Sequence, residues 1–511
     1  MILINSSSKN TTGIYQRFFP INPPVGIGYL ASYLRKNGID ARIVDEQVED
    51  NIMEIVAQHI KTSTKPHLFG FSVLTAALSR AVDLSREIKE QYPDSFIVFG
   101  GIHPSAMPAE MLSFKHVDAV IRGEGEKPLL DLYRCVKNGT DYSGIDNLSF
   151  KKDGKFVHNP VNYIIEDLST YPPFPYHLFD NNKYDLGFVF ASRGCPFKCI
   201  FCSCKTFPGS SKYRTRPPKH IVEELEMLKN KYGITSVIFL DDNFLVDKKR
   251  IYELLSLIKD RQLDGKMKFA FQARGDSMDE ALLGEMKKTG FEVVLFGLET
   301  ASEKIMKTID KGETVAQCVA GVKAAKKLGY TTGATFVFGL PGETHQDRIE
   351  CLKLSRQLDI AAVRFNNAIP YPGTELYAIA KRTGRLSVKG LYENFIAVSA
   401  LTENPFKEIP LAYVPEENTE KEIKTDVLLC QFSYYLQPSK FIRLVLGNSG
   451  KNVKWFNSGN FVKSVKNLPA MIFLIIMLTI KFNIMLINLI QQNKMREFLT
   501  LLFGNGKHEQ P

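Results

Sequence analysis

Cys195, Cys199 and Cys202 stand in the run Arg193-Gly-Cys-Pro-Phe-Lys-Cys-Ile-Phe-Cys, three thiols at C-x3-C-x2-C spacing. Thiolates are preferred ligands of iron-sulfur clusters, and a four-iron cluster takes four ligands. Three from a single loop leave one iron open to bind something else, and an open iron is where chemistry can occur. The competing reading is a structural zinc site, which takes four protein ligands, usually as two separated pairs. A second pair is missing. Cys204 lies two residues past Cys202, and Cys135, Cys318, Cys351 and Cys430 are scattered. A zinc cage would have to recruit Cys204 from a strained loop, so Cys204 reads as a bystander thiol.

Two alternating series of elements must hold this loop. Over residues 1–140 short apolar runs (2–4, 41–44, 68–71, 96–99, 118–121) alternate with helical patterns (26–37, 52–61, 78–91). That alternation predicts an α/β fold with a doubly wound parallel sheet, whose ligands bind at the carboxyl ends of the strands. Those ends carry Ser72, Thr75, Gly100, Gly101, Gly123 and Glu124, and paired glycines let a ligand approach the backbone closely. A Pro-rich stretch, 141–185, reads as a linker. From 186 to 385 strand and helix alternate again, with strands expected at 188–191, 235–240, 268–273, 293–298, 334–338 and 363–367. Six such units predict a partial (β/α)6 barrel, which collects functional groups at its strand ends. Those ends read Asp241-Asp242-Asn243, Gln272-Ala-Arg274, Gly297-Leu-Glu299-Thr and Phe338-Gly-Leu-Pro-Gly-Glu343.

With its aromatic residue Phe201 in the C-x3-C-x-aromatic-C position, the loop resembles that of radical S-adenosylmethionine (SAM) enzymes. The resemblance implies a [4Fe-4S] cluster on Cys195, Cys199 and Cys202, with SAM chelated to the open iron and cleaved to a 5′-deoxyadenosyl radical. Phe201 would pack on the adenine. Glu299, in the family's G-x-E-[ST] segment, would bind ribose or the amino group, with Gln272 and Arg274 as further contacts. A sheet domain directly before the loop, with Phe99-Gly-Gly-Ile-His-Pro-Ser and Ile121-Arg-Gly-Glu-Gly-Glu, is similar to the cobalamin-binding members of the family. That likeness implies cobalamin held by Ser72, Thr75, Gly100, Gly101, Gly123 and Glu124. The chain departs from many cobalamin domains in lacking D-x-H-x-x-G, so His103 is the histidine to weigh as a cobalt ligand, and a loop histidine beside proline is more often a polar cap.

Composition bounds the rest. Eight cysteines in 511 residues form no disulfide framework, and the amino terminus lacks a secretory signal, so the expectation is a cytoplasmic, reducing location. From 431 to 511 there are ten Lys and Arg against two acids, while the whole chain is only +10. Basic character is therefore local, which argues against nucleic-acid binding. In the helical C-terminal extension, 386–511, the apolar run 468–490 is long enough to span a bilayer, but Lys481 near its middle would cost about 2.5–3.5 kcal/mol there. Lys481, Asn488 and Gln492 recur at helical spacing, and Lys451, Lys454, Lys463 and Lys466 precede the run. Peripheral contact with the inner face of a membrane and a lipid substrate are the leading expectation, and a helix packed on the barrel or in a dimer contact is the alternative. The function expected is methylation of an unactivated carbon, with an electron donor such as flavodoxin or ferredoxin. Cyclisation or rearrangement without methyl transfer, and a non-catalytic corrinoid or redox sensor, are the alternatives.

Overall fold

The computed structural model describes residues 1–7, 21–398, 401, 406, 409–437, 440 and 468–503; Lys451, Lys454, Lys463 and Lys466 lie outside them. Strands β1 (Ile2–Asn5), β2 (Arg42–Asp45), β3 (Leu68–Ser72), β4 (Phe96–Gly100) and β5 (Ala119–Ile121) run parallel in the order β2-β1-β3-β4-β5. Their apolar runs are continuous because both faces are covered. Ile2, Ile4, Phe69, Phe71 and Phe99 pack against helices Ile52–Thr62 and Leu78–Gln91, while Leu3, Leu68, Val98 and Ile121 pack against Val25–Lys36 and Glu126–Asn138. The strand order reverses between β1 and β3, which opens a crevice at their carboxyl ends.

The structure differs from expectation over 141–185. Strands β6 (Leu148–Lys152) and β7 (Lys155–His158) extend the sheet antiparallel from β5, making it seven-stranded. Asp153 and Gly154, with φ of 49° and 73°, form the tight hairpin turn. Asp-Gly flanked by alternating residues is a hairpin signal, and here it was masked by the surrounding polar sequence and prolines. The remainder of the segment packs Tyr171, Phe174, Tyr176 and Phe179 into the core of the following domain.

That domain is an open, all-parallel, six-stranded sheet in the order β15-β14-β13-β12-β11-β8. It comprises β8 (Phe188–Val189), β11 (Ser236–Phe239), β12 (Lys268–Ala273), β13 (Phe291–Glu299), β14 (Thr331–Phe338) and β15 (Ala362–Asn367). Between β8 and β11 a two-stranded ladder, β9 (Ser192–Arg193) with β10 (Arg214–Thr215), closes off the cysteine loop. Phe271, Val294, Phe296, Phe336 and Phe365 are buried beneath the outer helices, whereas Gln272, Leu295, Gly297, Thr335 and Arg364 are at least partly exposed. The period-two pattern thus marks a concave inner face that is open to a ligand.

The C-terminal helix Glu420–Tyr435 packs on β15 and on the barrel helix His345–Gln357, and it carries helices Leu468–Gln491 and Met495–Phe503. Buried Arg348 binds Asp426 at 2.7 Å and Asn418 at 2.7 Å. His345 bridges Asp426 (2.8 Å) and Glu497 (2.9 Å). Among the described residues no helix is long and apolar enough to cross a membrane. Lys481 and Asn488, read as a polar stripe, face inward: Lys481 is buried and Asn488 donates to Thr425 at 3.3 Å.

Burial opposes charge on His345, but Asp426 and Glu497 outweigh it and raise its pKa, with Lys494 opposing and Arg348 and Glu422 completing the surroundings. A raised folded-state pKa gives stabilisation that is complete below the ordinary histidine value and lost as pH rises through the raised one. His345→Gln is expected to cost about 1–3 kcal/mol at low pH. In thermal unfolding, the gap between wild type and variant should close as pH increases past neutrality.

Candidate active site

Backbone pins the cysteine loop at several points. Cys195 N–H donates to Ser210 O at 2.8 Å, Ile200 N–H to Ile309 O at 3.0 Å, and Leu376 N–H to Ile200 O at 2.9 Å. Gly194 has φ +87°, and a Cβ there would lie 2.4 Å from Ser210 O, so only glycine permits this entry to the loop. Phe197 is covered by the Arg274 guanidinium, 3.6 Å from the ring centre, and Phe201 packs on the barrel core. All eight cysteines are unpaired. Burial raises the Cys195 and Cys202 thiols and pushes Cys199 up to about 12, with Lys311 pulling Cys199 the other way.

Glu299 ends β13 at φ +61°, where a register irregularity separates it from Gly297. Its carboxylate folds back over Gly297: a Cβ at 297 would meet Glu299 Oε1 at 2.4 Å. Lys311, buried, binds Glu299 at 3.2 Å and Glu313 at 3.1 Å and donates to Gly297 O. Burial opposes the ammonium, but the two carboxylates more than offset that and raise its pKa. Arg274 pairs with Asp276 at 2.8 Å and donates to Lys311 O at 2.6 Å, and Asp276 N–H reaches Glu313 at 3.2 Å. Gln272 is exposed on the concave face. Nothing in the local pattern marks Lys311 or Glu313; they enter only because β13 and the following turn meet in space.

Two adjacent aspartates part company. Asp241 is buried and accepts from Ala191 N–H at 3.1 Å and from the Ser192 hydroxyl, so it fastens the start of the cysteine loop. Asp242 lines a cavity and accepts from Cys204 Sγ at 3.4 Å. Glu343 is wholly buried, pushed up to about 8 by burial, and accepts from Gly339 N–H and Arg348, which makes the Gly-Leu-Pro-Gly-Glu segment a structural turn.

The cavity, about 530 Å3, lies between the sheet domain and the cysteine loop. Ser72, Gly100, Gly101, Gly123 and Glu124 line one side, and Cys202, Ser203, Cys204 and Asp242 the other. Gly101 has φ +100°, and a Cβ there would lie 3.0 Å from Val73 N. Glu124 is fully engaged: Arg193 at 3.1 Å, Arg214 at 3.0 Å and Ile165 N–H at 2.5 Å. Glu126 binds Arg193 at 3.1 Å and accepts from Tyr171, whose ring the Arg193 guanidinium covers at 4.5 Å. Thr75 and His103 do not line the cavity. They are buried together, with His103 Nδ1 3.3 Å from Thr75 Oγ1 and its ring 4.7 Å from that of Tyr392.

Residues 189–355 match the Radical SAM superfamily and residues 14–132 the B12 binding domain. An uncharacterised methyltransferase of Pyrococcus horikoshii is 32% identical over 440 residues, 84% of this chain and 92% of the relative. The chain is a cobalamin-binding radical SAM enzyme. A second relative, the anaerobic magnesium-protoporphyrin IX monomethyl ester cyclase of Rubrivivax gelatinosus, is 30% identical over 70% of this chain and 66% of its own. The fold matches the cobalamin-dependent SAM radical enzyme OxsB, solved with aqua-cobalamin and SAM, at TM-score 0.62 and 18% identity, covering 87% of this chain and 67% of that one.

The residues present fit the cofactors of a radical SAM enzyme with a B12 domain. Three thiols on one loop that burial disfavours as free thiolates suit a cationic cluster, which supplies the charge they need. The floor of the cavity is backbone: a Cβ on Gly100 would meet only Ile121 O, at 3.7 Å, leaving room for a macrocycle to lie on the strand ends. Asn243, buried at the barrel mouth with neither amide atom bonded among the described residues, is a further polar group available to a ligand. Glu124→Gln would leave the buried Arg214 guanidinium without its carboxylate and Arg193 with Glu126 alone, so unfolding by urea should register a loss of about 3–5 kcal/mol.

Proposed function

We propose that this enzyme methylates an unactivated carbon of an apolar, lipid-like small molecule. The observation that carries the reading is a cavity walled on one side by the sheet-domain glycines and on the other by the cysteine loop. Bound cluster and SAM supply a hydrogen-abstracting radical, and cobalamin supplies the methyl group. Leu30, Phe99, Ile121, Phe190 and Phe207 line the chamber, which suits an apolar substrate and keeps water from a reactive carbon.

The chain's own residues position the reactants. Cys195, Cys199 and Cys202 hold the cluster. Glu299 accepts from SAM hydroxyls or its ammonium, oriented by Lys311 and given space by Gly297. Arg274, anchored by Asp276, steadies the cysteine loop through Phe197, and Gln272 offers its amide on the concave face. Ser72, Gly100, Gly101 and Gly123 bear the corrinoid, and Glu124 fixes the wall beside it. A flavodoxin or ferredoxin delivers the electron.

Similarity to the Rubrivivax cyclase favours a second reading, cyclisation without methyl transfer; product mass separates the two. Cys204, the thiol that a sensor's four-thiolate cluster would recruit, points instead to Asp242.

Anaerobic reconstitution with iron, sulfide, hydroxocobalamin, reductant and SAM should give both 5′-deoxyadenosine and stoichiometric bound corrinoid, and the Cys195, Cys199 and Cys202 triple-alanine variant should give no deoxyadenosine. Deoxyadenosine without bound corrinoid would overturn methyl transfer; absence of both would overturn the catalytic reading. Gly297→Ala is expected to raise the SAM dissociation constant about tenfold or more, roughly 1.4 kcal/mol per tenfold, while corrinoid binding is unchanged.

A further inference from the structure

The cysteine loop turns one side to solvent, and that side is rimmed by cations. Pro196 and Lys198 are exposed beside half-buried Cys195 and Cys199. Two further segments are fastened to the loop there. Ile200 N–H donates to Ile309 O at 3.0 Å and Leu376 N–H to Ile200 O at 2.9 Å, which sets helices Glu303–Thr308 and Glu375–Arg382 against it. Gly373, at φ +85°, approaches the turn Ser203–Thr206 so closely that a Cβ would lie 3.0 Å from Thr206 Cβ. These segments present Lys198, Lys205, Lys307, Lys381 and Arg385, all exposed and, among the described residues, without an ion-pair partner. Arg382 is held by Glu375 at 3.8 Å and Lys304 donates to Gly342 O at 3.2 Å.

We infer that this rim is the docking surface for an acidic one-electron carrier protein. Residues 195–206, 303–310 and 373–385 hold seven Lys and Arg against three acids, a net +4. The chain's +10 less the +8 of 431–511 leaves +2 for residues 1–430, so the rest of that stretch is net acidic and the rim is a local feature. Surface lysines are ordinary; position distinguishes these. None of the five free cations lines the cavity, so neither substrate nor corrinoid accounts for them. They surround the stretch of loop that holds Cys195, Cys199 and Cys202, where an electron has the shortest path from solvent. Helix Glu375–Arg382 is about 12 Å long, so the rim is on the scale of a brief redox encounter, up to about 600 Å2 per partner. None of the exposed large apolar side chains lies in the three segments, which suits a partner steered by charge and released after each transfer. In that transfer the carrier is oxidised by one electron and the cluster on the three cysteines is reduced by one.

The inference rests on the radical reading of the site, and its test separates the two. The probe is an oxidised acidic flavodoxin titrated calorimetrically into the full-length protein. Wild type should bind, and more weakly as salt is raised. Lys307→Glu, Lys381→Glu and Arg385→Glu together should raise the dissociation constant about tenfold or more. Lys249→Glu, Lys266→Glu and Lys323→Glu, exposed cations on other parts of the barrel domain, change net charge equally and should leave it within about twofold. Carbodiimide should cross-link flavodoxin to lysines of the rim. With reconstituted enzyme, the rim variant should form 5′-deoxyadenosine slowly with reduced flavodoxin but at the wild-type rate with dithionite. Wild type failing to bind, the rim variant binding like wild type, or the control variant weakened as much as the rim variant would overturn the docking surface. Absence of deoxyadenosine with dithionite in wild type would instead overturn the radical reading.

Discussion

One carboxylate sets the relation between the two halves of the catalytic body. Arg193 and Arg214 are register partners in the short ladder that closes the cysteine loop, and like charges opposite one another in a ladder repel. Glu124, from the sheet domain, binds both. The neutralisation that lets the loop close therefore comes from the other domain, and the cysteine loop is held against the sheet-domain strand ends by the same contact. Tyr171, stacked on Arg193 and donating to Glu126, covers part of the pair. Burial on this scale makes the network costly to break and so rigid in geometry.

The mouth of the six-stranded sheet rests on a different device. At the end of β13, glycine at 297 and positive φ at 299 let a carboxylate turn back onto the concave face, where Lys311 holds it. A non-glycine residue in left-handed conformation is a local strain that surrounding contacts must sustain, and such strain gathers at functional sites. Here the sustaining contacts are the chain of Arg274, Asp276, Glu313 and Lys311, which also reaches the cysteine loop through Phe197. Loop and carboxylate are thus positioned by one connected set of charges.

Much of this was legible in the residues. The eleven parallel strands of the two sheets and the helices between them follow from apolar periodicity, because burial on both faces demands continuous apolar runs and burial on one demands alternation. The cysteine spacing, the paired glycines and the Gly-x-Glu segment were each legible locally, since coordination and close backbone approach are short-range requirements. The β6–β7 hairpin carried its Asp-Gly signal and was hidden by its lysines and by the Pro-rich stretch that follows it.

Tertiary structure decided what depends on partners distant in sequence. Asp241 and Asp242 are neighbours, yet one fastens the backbone and the other faces the cavity, because successive positions point opposite ways from a strand end. Thr75 and His103 sit at the right strand ends but bond to one another away from the cavity. The sequence shows that the terminal helix has polar and apolar sides; only the fold determines that the side with Lys481 and Asn488 turns inward and the isoleucines outward. Periodicity encodes that a face is distinct, not what it meets, and a buried charge is placed by a counter-charge that no local pattern reveals.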